Sequence, residues 1–141
     1  MPTLFTRIID GELPGTFVWR DPECVGFLSI SPVQPGHTLI VPREEVDHWI
    51  DLEPTLAAHL TIVAQTVARA QARVYRPLKV GLLIAGLEVP HTHLHVIPIN
   101  HGEADMHLDH DPGSPTPEEL ESEATTIRAA LTDLGAEGVS S

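Results

Sequence analysis

Short apolar runs separated by turn-forming residues occupy most of the first hundred positions of the chain. Runs of this length that are rich in β-branched and aromatic residues are typical of strands. Connections of a few residues favour antiparallel neighbours, and Pro35 and Gly36 suit the two central positions of a type II turn. We predict five strands, at 16–20, 25–30, 37–41, 79–84 and 91–98.

Two longer stretches carry apolar residues at steps of three and four, the spacing that places side chains on one face of a helix. The first begins near Pro54 and stops at Pro77, and the second, at 117–134, follows a capping box formed by Thr116 and Glu119. Strands and helices together predict an α+β fold, a five-stranded, mainly antiparallel sheet with one long helix and a C-terminal helix. We expect residues 1–100 to form the core and an acidic extension, 101–141, to pack on the same domain.

The charge of the chain limits the partners that it can bind. Eight basic and 20 acidic residues give a net charge of −12, which argues against general binding to nucleic acid. No apolar run approaches the roughly 18 residues that a membrane span needs, and the N-terminus lacks the features of a signal peptide. We therefore expect a cytoplasmic protein without membrane or nucleic-acid partners. The single cysteine, Cys24, lies in an apolar stretch and is predicted to be a buried structural thiol.

Three histidines alternate with other residues in the last predicted strand: His91, His93 and His95. On a strand they share one face at a spacing of about 6–7 Å, while Leu94 and Val96 face the core. Alternating imidazoles can supply two or three ligands to a metal ion. A neutral imidazole can equally act as a nucleophile near neutral pH. The spacing alone leaves both interpretations open.

Three segments carry a resemblance to a known family. Residues 89–98, which contain the three histidines, resemble the signature of the histidine triad (HIT) family, with Thr92 at its first apolar position. Residues 4–14 resemble the family's N-terminal segment, and residues 27–42 resemble its ribose-side strand, loop and following strand. These segments cover most of 3–98 in the family's order. The segment from Ile8 to Pro14 is more similar to the phosphoramidase-like, nucleotide-binding branch.

The resemblance implies a HIT-like fold, a homodimer and a hydrolase or transferase that needs no metal or other cofactor. His93 would attack the α-phosphorus of a purine nucleotide conjugate, and water would then release a nucleoside monophosphate from the nucleotidyl-histidine intermediate. His95 would hydrogen-bond the phosphoryl oxygens or the bridging atom, and His91 would orient His93 or pass a proton. His37 matches a family histidine that supports the triad from the neighbouring strand. Nucleoside phosphoramidates and dinucleoside polyphosphates are the implied substrates.

The resemblance also places residues around the nucleotide and shows where this chain departs from the family. Ser29 stands where Asp or Asn commonly grips the ribose, and Leu87 stands where Gln is common. Thr3 and Thr6 replace the cysteines of zinc-bearing members, so we expect no structural zinc there. The expected nucleotide-binding residues are Phe5, Ile8, Phe27, Ser29, Ile30, Leu87 and Glu88.

Two other classes of protein fit the same histidines. A nucleotide-binding regulatory protein with little turnover would keep the pocket, and the changes at Ser29 and Leu87 motivate that alternative. A metal-dependent hydrolase or metal carrier would use the histidines as ligands. We place the enzyme first because the three histidines are intact.

Overall fold

A single antiparallel sheet organises the computed structural model, which describes residues 2–108 and 114–140. Within those residues the order of the strands is β1-β2-β3-β5-β4, and each neighbouring pair is antiparallel. The α+β prediction is confirmed. The strands are β1 (Phe17–Arg20), β2 (Cys24–Leu28), β3 (Thr38–Pro42), β4 (Lys79–Ile84) and β5 (Leu94–Ile99); the helices are α1 (Leu4–Ile9), α2 (Pro54–Tyr75) and α3 (Pro117–Asp133).

The long helix α2 covers one face of the sheet. Pro54 occupies its first turn, where the missing N–H is not needed, and Arg76 ends it in the left-handed region at φ 48°. Pro77 explains the stop, because a proline disfavours helical geometry in the residue before it. The buried side of α2 packs against alternate residues of β3 and β5, and together with α3 these form the larger core.

Helix α3 begins and ends as its sequence predicts. The Thr116 hydroxyl accepts from the backbone N–H of Glu119, the Glu119 carboxylate accepts from that of Thr116, and Gly135 follows the helix at φ 80°. The helix packs on α2 and β1, and Arg128 donates a hydrogen bond of 2.8 Å to the carbonyl of Phe17. Helix α3 is therefore attached to the edge of the sheet formed by β1 and to α2.

The opposite face of the sheet carries a smaller core. Apolar side chains of β1, β2 and β3 pack there with Phe5 of α1. The chain reaches β3 through the predicted turn, in which Gly36 has φ 87° and the N–H of His37 donates to the carbonyl of Gln34 at 3.0 Å. A side chain at Gly36 would collide with the ring of Tyr75. None of the helices in the described parts of the chain is long and apolar enough to cross a bilayer.

Candidate active site

Four histidines lie together on the sheet face that carries the smaller core. His91, His93, His95 and His37 are exposed by only 0%, 6%, 8% and 3%. His95 lies in β5 opposite Leu39 of β3, and His37 immediately precedes β3. Antiparallel pairing of β3 with β5 therefore joins residues that are 58 positions apart in the chain.

The prediction that all three triad histidines lie on a strand is wrong in part. Strand β5 begins at Leu94, so His91 and His93 precede it. The N–H and the hydroxyl of Thr92 both donate to the carbonyl of Val46, at 2.7 Å each, which ties this segment to the loop after β3 rather than to a strand ladder. The rings are also closer than a flat strand would place them, because the centroids of His93 and His95 are 4.9 Å apart.

The ring of His93 is fixed in one tautomer by its own backbone neighbourhood. Its Nδ1 lies 2.7 Å from the carbonyl oxygen of His91, and a carbonyl can only accept, so Nδ1 carries the hydrogen. Nε2 then keeps its lone pair. Phe5 meets the same ring edge to face at a centroid distance of 4.9 Å, which limits its rotation. His93 as a whole keeps 6% of its surface exposed.

A second chain of hydrogen bonds fixes His95. The backbone N–H of Val33 donates to Nδ1 of His37 at 3.0 Å, so the hydrogen of His37 lies on Nε2. That Nε2 is 2.9 Å from Nδ1 of His95 and donates to it. The hydrogen of His95 is consequently on Nε2, the atom that faces away from His37. His95 therefore offers a hydrogen-bond donor next to the lone pair of His93.

His91 is held at both ring nitrogens. Its Nε2 donates to the carbonyl of Pro42 at 2.7 Å, so its Nδ1 is an acceptor, and the hydroxyl of Thr3 donates to it at 2.6 Å. The backbone N–H of Thr3 in turn donates to Glu45 at 2.7 Å. His91 is thus a fixed support, and its carbonyl aims the ring of His93.

Burial keeps these histidines neutral. Burial, together with the neighbouring imidazoles, lowers the pKa of His37 to about 3 and the pKa of His95 to about 4. Burial also lowers the pKa of His93, against the raising effects of the carbonyl of His91 and the charge of Glu88. Burial lowers the pKa of His91 as well. Neutral imidazoles are required for the hydrogen-bond directions given above.

The residues expected around the nucleotide divide into a core group, the loop residue Ser29 and an exposed group. Phe5 and Phe27 are buried 5.6 Å apart in the smaller core, and Ile8 packs against it. The hydroxyl of Ser29 is used within its own loop, where it accepts from the N–H of Ser31 at 3.2 Å. The exposed residues are Ile30 (74%), Leu87 (93%) and Glu88. The negative charge of Glu88 raises the pKa of His93, which is its effect on the triad.

Two supporting residues were not assigned these roles from the sequence. The resemblance predicts for Thr3 only the replacement of a zinc-binding cysteine, whereas its hydroxyl holds His91. Gln71 of α2 is fully buried and its Nε2 donates to the carbonyls of Gly36 and Val96, beside His37 and His95. A polar residue four positions after Val67, within the buried face of α2, was the signal for Gln71.

Fold and site define an α+β protein whose sheet presents a buried cluster of neutral histidines. Residues 10–102 match the family model of the HIT domain. An uncharacterized HIT-like protein of Borreliella burgdorferi is 33% identical over 102 residues, which cover 67% of this chain and 73% of that protein. The chain belongs to the HIT domain family.

Solved structures agree with this assignment. A hypothetical histidine triad nucleotide-binding protein from Sulfolobus tokodaii superposes with a TM-score of 0.81 at 27% identity, over 92% of each chain. A Hit-like protein from Bartonella henselae gives a TM-score of 0.80 at 26% identity, over 91% of this chain and 95% of that one. The likeness thus extends beyond residues 10–102 to most of the chain.

Proposed function

We propose that this protein hydrolyses or transfers nucleotide conjugates at the α-phosphorus through a nucleotidyl-His93 intermediate. The observation that carries the proposal is the pairing of two ring atoms on neighbouring histidines, whose ring centroids are 4.9 Å apart. Nε2 of His93 holds a lone pair because its Nδ1 donates to His91, and Nε2–H of His95 is a donor because its Nδ1 accepts from His37. A nucleophile beside a donor is the arrangement that attack on phosphorus requires.

In the first step the lone pair of His93 Nε2 forms a bond to the α-phosphorus. The bond from phosphorus to the leaving group breaks, and its electron pair goes to the leaving atom. His95 donates its hydrogen bond to a phosphoryl oxygen or to that atom, where negative charge increases. In the second step water attacks phosphorus, the N–P bond breaks with its electron pair returning to His93, and the proton of the water goes to solvent.

His95 supplies a hydrogen bond rather than a proton in this scheme. It is neutral, and loss of its Nε2 proton would leave an imidazolate. The phosphate chain of a dinucleoside polyphosphate departs as a stable anion and needs no proton. The amine of a phosphoramidate must take a proton from solvent. We therefore expect phosphoramidate cleavage to slow more steeply with rising pH than polyphosphate cleavage.

The decisive experiment uses an adenosine phosphoramidate and a dinucleoside polyphosphate labelled at the α-phosphate. We expect AMP release, and base-quenched single turnovers should give a labelled protein adduct that is lost on acid treatment and is absent from His93→Ala. His107→Ala is the matched control, because His107 is an exposed histidine outside the cluster. Release of no AMP from either substrate, or full activity in His93→Ala, would refute the proposal.

A binding protein with little turnover is the second candidate. It is favoured by Ser29, whose hydroxyl is engaged with Ser31, and by the exposure of Leu87, since these positions offer less to the ribose and phosphates. Equilibrium binding of AMP combined with single-turnover labelling of His93 separates the two. Tight binding without an adduct would identify the binding protein, and adduct formation would identify the enzyme.

We propose in addition that the protein forms a homodimer through β4. This strand is an edge of the sheet and none of its residues is buried. Leu82 of β4 is 48% exposed and Ile62 of the neighbouring α2 is 61% exposed. An edge strand offers backbone N–H and C=O groups for pairing, and exposed apolar side chains beside it favour contact with a second sheet.

A further inference from the structure

A second cluster of chemistry-bearing side chains lies on the opposite face of the sheet from the triad. Asp21, Cys24 and His59 each offer a ligand atom, and these atoms all lie within 4.8 Å of one another. They come from the turn after β1, the first residue of β2 and helix α2. Cys24 belongs to the core beneath α2, whereas its neighbour Val25 faces the core that contains Phe5. The cluster is therefore separate from the proposed active site.

Asp21 presents one oxygen to this cluster. Its Oδ1 accepts from the backbone N–H groups of Glu23 and Cys24, at 2.7 and 2.8 Å, which fixes the carboxylate in the turn. Its Oδ2 lies 2.7 Å from Nε2 of His59 and 3.4 Å from Sγ of Cys24. Trp19 donates to the same Oδ2 at 2.7 Å. Three donors thus converge on a single carboxylate oxygen.

We propose that Asp21, Cys24 and His59 bind one zinc ion through Oδ2, Sγ and Nε2. Thiolate, imidazole and carboxylate are the three ligand types that zinc takes in proteins. Bonds of about 2.0–2.3 Å in a tetrahedral site separate ligand atoms by about 3.3–3.6 Å, so Sγ and Oδ2 already have the required spacing. Nε2 of His59, at 2.7 Å from Oδ2, must withdraw from it by less than about 1 Å, and Sγ and Nε2 lie within 4.8 Å of each other.

The surroundings of the cluster suit a bound cation. The indole N–H of Trp19 donates a hydrogen bond to Oδ2 of Asp21 and so fixes this oxygen. The carboxylate oxygen Oε2 of Glu23 lies 3.9 Å from Nδ1 of His59. A ligating histidine commonly donates its other ring N–H to a carboxylate, and Glu23 would accept it after approaching Nδ1 by about 1 Å. The side chains of Asp21 and His59 are 13% and 33% exposed, so an ion reaches the site from solvent and a water completes the fourth position.

Binding exchanges protons for metal in a balanced way. Cys24 loses its thiol proton to solvent, and a hydrogen that His59 carries on Nε2 moves to Nδ1, the ring nitrogen on the side of Glu23. Two negative ligands, Asp21 and the thiolate of Cys24, then neutralise the charge of Zn²⁺. The ion would join the turn between β1 and β2 to helix α2 and stabilise the folded state.

Because Cys24 is the single cysteine of the chain, cobalt reports this site alone. The apo protein, kept reduced, is titrated with Co²⁺ and followed by near-ultraviolet absorption. We expect a thiolate-to-cobalt charge-transfer band that saturates at one equivalent and is abolished by Zn²⁺ in competition. The triad histidines cannot produce this band, since they offer nitrogen only.

Matched variants complete the test. His59→Gln should weaken cobalt binding at least about tenfold, and Cys24→Ser should abolish the charge-transfer band. The control His107→Gln should change neither the cobalt affinity nor the band. Cys24 is a core residue, so Cys24→Ser can fail to fold. In that case His59→Gln, whose side chain is partly exposed, still tests the site. A titration of the folded protein without the band, or His59→Gln with unchanged cobalt affinity, would overturn the zinc site. AMP release is a separate readout, so neither result bears on His93.

Discussion

The hydrogen bond from Thr3 to His91 makes a quantitative prediction about stability. Thr3→Val keeps the shape of the side chain and removes its hydroxyl. That hydroxyl accepts from the N–H of Thr6 at 3.1 Å, where it caps α1, and donates to Nδ1 of His91 at 2.6 Å. His91 is fully buried, so no water replaces the donor unless the structure opens.

The two losses can be summed from general magnitudes. Loss of a Thr cap costs about 1 kcal/mol, and a buried acceptor without its partner costs about 1–3 kcal/mol. We therefore expect Thr3→Val to lower the free energy of unfolding by about 2–4 kcal/mol. For a chain of this size that corresponds to a decrease of about 6–15 °C in Tm.

Urea denaturation and thermal unfolding measure this loss, and two variants control it. Thr3→Ser retains the hydroxyl and should lose less than about 1 kcal/mol. Thr6→Val removes a neighbouring hydroxyl that does not contact His91 and should also stay below about 1 kcal/mol. Long-range ¹H–¹⁵N spectra should place the hydrogen of His91 on Nε2. If Thr3→Val is no less stable than Thr6→Val, the assignment of Thr3 as the support of His91 is refuted.

Three further predictions concern the supporting histidine, the pH dependence and the dimer. His37→Phe removes the donor that fixes His95 and should lower kcat for AMP release by about 10–100-fold with little change in KM; an unchanged kcat would contradict the role of His37. Burial lowers the pKa of His37 to about 3 and that of His95 to about 4, below their ordinary 6.5, so the unfolded chain takes up protons that the folded chain does not. The free energy of unfolding, measured by urea denaturation, should therefore fall as pH decreases from 6.5 towards 4.5, by up to about 1 kcal/mol per pH unit for each histidine, and a flat profile would contradict the neutral assignment. Ile62→Glu or Leu82→Lys should convert a dimer to monomers in analytical ultracentrifugation, whereas Leu134→Lys, at the end of α3, should not; a dimer in all three variants would place the interface elsewhere.

The regular elements could be predicted because their signals are local. Steps of three and four define α2 and α3, the capping box of Thr116 and Glu119 fixes where α3 begins, and Gly36 marks the turn before β3. Each signal lies within a few residues of the element that it determines. The same is true of Pro77, which ends α2 by its effect on the preceding residue.

The hydrogen bonds of the site could not be predicted, because they join distant segments. Thr3 and His91 are 88 positions apart, and His37 and His95 are 58 apart. The position at which β5 begins was also missed, since the bonds of Thr92 to Val46 depend on where the loop after β3 returns. Sequence identified the four histidines as a group, but only their contacts reveal which nitrogen of each ring carries the hydrogen.

Those hydrogen positions bear on the two interpretations that the spacing of the histidines left open. Within the described residues His91 and His37 have both ring nitrogens engaged, and only Nε2 of His93 and Nε2 of His95 remain available. A metal would need lone pairs on both, so His95 would have to move its hydrogen to Nδ1. The Nδ1–H of His95 would then point at the Nε2–H of His37, so that two donors would face each other. If His37 moved its hydrogen to Nδ1 to avoid this, that hydrogen would point at the backbone N–H of Val33 instead. Two facing donors in a buried site cost more than about 1–3 kcal/mol, the penalty for an unpaired one. The backbone N–H of Val33 therefore favours one nucleophile beside one donor over a pair of metal ligands.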